Sequence, residues 1–194
     1  MHPNDRQFKV MGGHVDHDVC SYIATMCSEQ HLDIHVGCDS QNYKRYTVYV
    51  TTVVFRYPDN GAHVIYRRER VPKITDLWTK LWGETERSVA LANLILEECG
   101  IRVKQIDLDF NSDPQYPSQK LISASAGYIT SLGFEAKAKP NLLMEAWAAN
   151  VLCHGGRQCG KIRLSSASRN SKMPRTFLCT NPPPISPRMP KGRA

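Results

Sequence analysis

The spacing of apolar positions changes several times along this chain, and each change marks an element. Val19 to Cys27 places Val19, Ile23 and Met26 on one side at helical spacing. Leu32 to Cys38 alternates Leu32, Ile34 and Val36 as a short strand, which the turn-forming run Asp39-Ser40-Gln41-Asn42 is expected to end. Tyr46 to Tyr57 is dense in Val, Thr, Tyr and Phe, residues that suit a pleated surface. Asp59-Asn60-Gly61 predicts a hairpin turn, because Asn and Gly tolerate positive φ. Ala62 to Val71 returns as a strand and Pro72 closes it. From Asp76 to Cys99 the spacing becomes helical, through Leu77, Leu81, Ser88, Leu91, Ala92 and Ile95, with Gly100 placed as a C-cap. Ile101 to Phe110 reads as a strand, Ser118 to Leu132 as a helix stopped by Gly133, and Phe134 to Ala138 as a last strand. Lys139-Pro140 breaks the pattern before a helix over Asn141 to Leu152.

After the lead-in helix the order is therefore β-β-β-α-β-α-β-α, without an internal repeat. A meander followed by right-handed crossovers puts the fourth strand beside the first and parallel to it. The expected architecture is an α/β, ribonuclease H-like domain: a mixed five-stranded sheet in the order 3-2-1-4-5, flanked by helices. A ferredoxin-like fold would need β-α-β-β-α-β, and a doubly wound dinucleotide fold would not open with a meander.

Charge adds a second region. The net charge is +7, yet nine of the 25 basic residues follow His154: Arg157, Lys161, Arg163, Arg169, Lys172, Arg175, Arg188, Lys191 and Arg193. No Asp or Glu occurs there, which leaves 16 basic against all 18 acidic side chains in residues 1–154. The expected division is a domain over 1–154 and a basic, Pro- and Ser-rich extended tail over 155–194. Such a tail suits a polyanion, most often nucleic acid. The seven cysteines are odd in number and scattered, which argues for a reducing setting and no disulfide-linked partner. No long apolar run or secretory leader is present, so a cytoplasmic protein without a membrane partner is expected. Cys153, His154 and Cys159 lack the second ligand pair that a structural zinc site needs.

In the expected layout the carboxyl ends of the first and fourth strands are neighbours. Asp39 lies at one, in Val36-Gly37-Cys38-Asp39-Ser40-Gln41, and Asp109 at the other, in Ile106-Asp107-Leu108-Asp109-Phe110-Asn111. Ligand sites of open α/β sheets form at such ends. Two adjacent carboxylates repel unless a cation holds them, and oxygen ligands suit Mg²⁺ or Mn²⁺. Taken singly, Asp39 could merely cap a turn and Asp109 serve an Asx-turn. A third acid is expected from the long helix. At about 100° per residue, Glu84 lies near the edge of its apolar stripe and Glu86 points away, so Glu84 is the better candidate.

These residues resemble a known family. The stretch around Asp39, Leu81-Trp82-Gly83-Glu84-Thr85-Glu86-Arg87-Ser88, Leu108-Asp109-Phe110-Asn111, Gly127-Tyr128, Gly133-Phe134-Glu135 and Lys139-Pro140 look like the YkuK-type ribonuclease H-like family, in register from about Phe8 to Asn150. The resemblance implies metal-dependent phosphodiester cleavage of RNA or DNA, with Asp39, Glu84 or Glu86, and Asp109 in the acidic positions. Asp39 would bridge two cations, Asp109 hold one, and Glu84 complete the shell or orient water. Ser40, Ser118 and Lys120 would contact phosphate, and Arg157 to Arg175 would bind nucleic acid. Similar sequences carry Asp where this chain has Asn150, a neutral and therefore weaker metal ligand. That departure and the basic tail favour a rival expectation, a catalytically weak or inactive module that serves as a structural, RNA-binding part of a ribonucleoprotein.

Overall fold

A computed structural model describes residues 6–28, 32–57, 61–110, 115, 118–138 and 152–153. Their elements run β1 (Gln7–Val10), β2 (Asp16–Asp18), α1 (Val19–Cys27), β3 (Asp33–Asn42), β4 (Tyr46–Arg56), β5 (Ala62–Pro72), α2 (Leu77–Cys99), β6 (Gln105–Leu108), α3 (Gln119–Ser131) and β7 (Glu135–Ala138). They form one seven-stranded sheet in the order β2-β1-β5-β4-β3-β6-β7. The meander β3-β4-β5 is antiparallel, while β6 pairs with β3, and β7 with β6, in parallel. The five expected strands thus have their expected order, and two more join beyond β5.

Three corrections concern the strands. Gln7–Val10 and Asp16–Asp18 were not expected, because a polar run such as Asp16-His17-Asp18 carries no strand signal. Both gain their conformation by pairing: β1 lies against β5 through Lys9–Tyr66 and Val10–Ile65, and β2 lies against β1. The first meander strand also does not stop at Cys38. It continues through Asp39, Ser40, Gln41 and Asn42, which face Val50, Tyr49, Val48 and Thr47. A complete ladder with the strongly strand-forming β4 outweighs the turn preference of these polar residues. The reversal falls instead at residues 43–45, where the Tyr43 amide donates to the Tyr46 carbonyl at 2.8 Å. The fourth strand begins at Gln105 rather than Ile101 and ends one residue before Asp109. The hairpin turn at residues 58–60 and most of the expected last helix lie outside the described residues.

Helix α2 has the boundaries its ends dictate. Asp76 caps it by accepting the Thr79 amide at 2.7 Å, and Gly100 leaves it at φ 66°. All three helices pack on one face of the sheet, around Ile34, Val36, Val53, Phe55, Val89, Ile95, Ile106 and Ile129. On the other face, the described end of the chain, Leu152 and Cys153, covers Val48 and Val50.

Gly83 sets how closely α2 approaches the sheet. A Cβ at this position would meet the Tyr49 hydroxyl at 2.7 Å. That hydroxyl donates to the Lys80 carbonyl at 3.0 Å, and the Arg87 guanidinium lies 3.7 Å from the centre of the Tyr49 ring. A glycine inside a helix costs about 1 kcal/mol relative to Ala, so the close contact is what justifies it. The contact carries the next residue, Glu84, down to β3.

Candidate active site

Strand alternation sorts the residues at the end of β3. Ser40 shares the helix face with Tyr49, and Asp39 shares the opposite face with Val50. Glu84 descends from α2 and takes the Ser40 hydroxyl as a donor, Ser40 Oγ to Glu84 Oε1 at 2.5 Å. Glu84 is only 3% exposed. Asp39 and Asp109 are half-buried. Cys38 pairs with Leu108 in the parallel ladder, so Asp39 and Asp109 are the next residues along two adjacent strands.

The electrostatics show that the three acids share one region. Burial pushes the Glu84 carboxyl well above the ordinary carboxylate range, and the negative charge of Asp39 pushes it further. Asp109 acts in the same sense, against the Ser40 hydrogen bond and the Lys80 charge, which oppose the shift. Asp39 is held on its other side as well. Its Oδ1 accepts the Ser40 amide at 2.7 Å, and the Cys153 thiol donates to its carbonyl at 3.3 Å. Burial raises the Cys153 thiol, and the charges of Asp39 and Glu84 raise it further.

The other expected site residues divide. Glu86 is exposed and accepts the Trp82 indole N–H at 3.1 Å, so it points away from the sheet. Ser40 is buried, and its hydroxyl donates to Glu84. Ser118 is half-buried at the start of α3, and Lys120 is exposed in the first turn. Asn150, His154, and the basic residues Arg157, Lys161, Arg163, Arg169, Lys172 and Arg175 lie outside the described residues. Sequence reasoning missed Gly83, whose place inside a helix was a visible anomaly, and the contact of Cys153 with Asp39, since Cys153 was weighed only as a zinc ligand. It also missed the buried pair beneath Asp109, in which Gln105 Nε2 donates to Asp107 Oδ1.

The donor set is all oxygen and rich in negative charge, which suits a hard divalent cation. Among the described residues, no group of three or more His, Cys, Asp or Glu side chains is gathered tightly enough to hold a metal ion as it stands. A cation would thus have to draw Glu84 from Ser40, or be held by Asp39 and Asp109 with water. None of the described helices is long and apolar enough to cross a membrane.

A meander with parallel crossovers, two acids at adjacent strand ends and a third carried by a helix make up an α/β domain of ribonuclease H-like layout. The ribonuclease H-like family model matches residues 14–153. The chain belongs to the ribonuclease H-like family. No curated protein matches it. At the level of the superfamily, membership associates the chain with nucleic-acid binding and nuclease chemistry.

Proposed function

We propose that this protein is a divalent-metal-dependent nuclease that cleaves phosphodiester bonds of RNA or DNA, with Asp39, Glu84 and Asp109 as its acids. The observation that carries this reading is the burial of Glu84 near two further carboxylates, with the Ser40 hydroxyl and the charge of Lys80 in opposition. Such an arrangement is unfavourable for the empty domain and becomes favourable with a cation. Mg²⁺ or Mn²⁺, when bound, would supply Lewis acidity to water and to the phosphodiester.

The chain's own residues prepare that site. Asp39 and Asp109, on adjacent strands, present carboxylates that can be shared by one cation. Glu84 holds a proton in the empty domain and yields it when positive charge arrives. Ser40 then remains as a donor that orients the freed carboxylate. Asn150, where the family resemblance implies an Asp, offers only a neutral oxygen. The chain is expected to act in the cytoplasm, and residues 155–194 to add affinity for nucleic acid.

The test is cleavage of labelled single-stranded RNA, single-stranded DNA and RNA–DNA hybrid by full-length protein with Mn²⁺ or Mg²⁺. Asp39→Asn and Asp109→Asn should each reduce cleavage to background. Failure on every substrate with both metals refutes the nuclease reading. A second reading then takes its place, a non-catalytic, RNA-binding member of a ribonucleoprotein. The loose disposition of the described acids and Asn150 favour that reading.

A further inference from the structure

Strand β5 carries Arg67, Arg68, Glu69 and Arg70 in succession, and its two faces are treated differently. On the helix face, Glu69 accepts Arg87 Nε at 2.8 Å and Arg87 Nη2 at 3.0 Å, and lies 3.9 Å from Arg67 Nη2. Both guanidiniums on that face thus share one carboxylate. Arg68 and Arg70 alternate to the opposite face and are exposed. Neither makes an ion pair with a carboxylate among the described residues, and the same holds for the exposed Lys44 and Arg45 in the turn after β3.

Register ties this strip to the acids. Asp39 pairs with Val50, and Val50 pairs with Arg68. Arg68 therefore stands in the same cross-strand row as Asp39, two strands away, or roughly 10 Å. Gln41, Val48 and Arg70 form the next row on that face. Arg70 is also positioned: its guanidinium lies 4.1 Å from the centre of the Tyr46 ring, which stacks on Tyr43 with centroids 5.0 Å apart. Between the acids and the arginines sits Cys153, packed on Val48 and Val50, with its carbonyl accepting the Tyr43 hydroxyl at 2.7 Å. The chain that follows Cys153 has nine basic residues and no acid. A cluster of fixed cations and the origin of a cationic segment thus meet at one place, and like charges so placed favour a shared polyanion.

We infer that Arg68 and Arg70, with Lys44 and Arg45, form the phosphate track of a nucleic-acid strand whose scissile phosphate lies at Asp39 and Asp109. The placement of the scissile phosphate rests on the nuclease reading; the track itself does not. Asp39 and Asp109 repel an approaching phosphodiester, and Arg68 in the row of Asp39 with Arg70 in the next row, on the same face, offset that repulsion. The contacts fall on phosphate and carry no base information, so RNA and DNA strands are both accepted.

The experiment measures binding of full-length protein to labelled single-stranded RNA and DNA in EDTA, by anisotropy over a range of KCl concentrations. Arg68→Ala/Arg70→Ala should weaken binding about tenfold or more and lower the slope of log K against log salt by about 1.4, two contacts at about 0.7 each. Arg68→Lys/Arg70→Lys should retain the slope, because it counts charges. Lys9→Ala/Lys104→Ala, equal in charge change and made at two surface ion pairs with Asp16 and Asp33, should retain it too. The track is overturned if the arginine and lysine alanine variants behave alike, or if polyglutamate loses affinity for the arginine variant as strongly as the oligonucleotides do. If the arginine variant loses the slope and wild type cuts nothing with Mn²⁺, the track stands and the nuclease reading falls. If wild type cuts and the arginine variant keeps its slope, the track falls and the nuclease reading stands.

Discussion

Replacing Glu84 with Gln should remove a pH trend in stability whose sign follows from the site. Burial first, then Asp39 and Asp109, hold the folded carboxyl well above its ordinary value of 4.5. Above about pH 4.5 the unfolded chain has lost this proton while the folded domain keeps it. The native state then binds one proton more than the unfolded state, so stability falls as pH rises, by about 1.4 kcal/mol per pH unit. The contribution is fully present below the unfolded value and is lost as pH rises through the folded one. Gln cannot titrate. The stability of Glu84→Gln minus that of wild type should therefore climb with pH at about that rate until the folded value is passed. In a domain of this size the difference amounts to about 3–6 °C in melting temperature per pH unit. Urea unfolding in EDTA, at steps between about pH 5 and 8, measures it directly. Any fixed loss from an imperfect Gln contact with Ser40 shifts the curve without changing its slope. Parallel curves for the two proteins would show that Glu84 is ionised in the folded state and would refute the reasoning. Added Mn²⁺ should stabilise wild type and flatten its trend, and should do less for the variant.

Gly83→Ala should destabilise the domain by about 1 kcal/mol, because overpacking against the Tyr49 hydroxyl costs about 1–3 kcal/mol and the gain in helix propensity returns only part of it; denaturant midpoints check this, and increased stability would show that α2 does not need the close approach. Ser40→Ala removes the hydroxyl partner of Glu84 and should cost about 1 kcal/mol, the same in acid as at any pH where the folded carboxyl keeps its proton; urea unfolding at two pH values tests it, and a loss that grows with pH would contradict it. Deleting residues 155–194 should weaken oligonucleotide binding at low salt and leave the melting of residues 1–154 unchanged. Anisotropy and calorimetry together decide this, and unchanged affinity would remove the tail from nucleic-acid binding.

Much of the architecture was legible because its signals are local. The apolar steps of α2, the Asp76 cap and the Gly100 stop lie within one segment, and they predict a helix whose ends agree with the structure to one residue. The same 100° steps separate Glu84 from Glu86, and the first is buried while the second faces solvent. The meander and its parallel neighbours follow from the order of such segments. That Asp39 and Asp109 stand on adjacent strands was also readable, since chirality and connection rules leave few arrangements.

What remained hidden depends on pairs far apart in the chain. Asp39 to Asn42 look like a turn until residues 47–50 pair with them. Gln7–Val10 becomes a strand only because the edge of β5 accepts it. The hydroxyl of Ser40 finds Glu84 across 44 residues, and Cys153 reaches the Asp39 carbonyl across 114. Composition counted the arginines of β5, but only the alternation of a paired strand divides them, two set on the face that Asp39 shares. Sequence by itself thus determined which segments form helices and strands and which acids could meet. Tertiary structure decided the register, the depth of burial and the side of the sheet, because those are properties of contacts and not of the local chain.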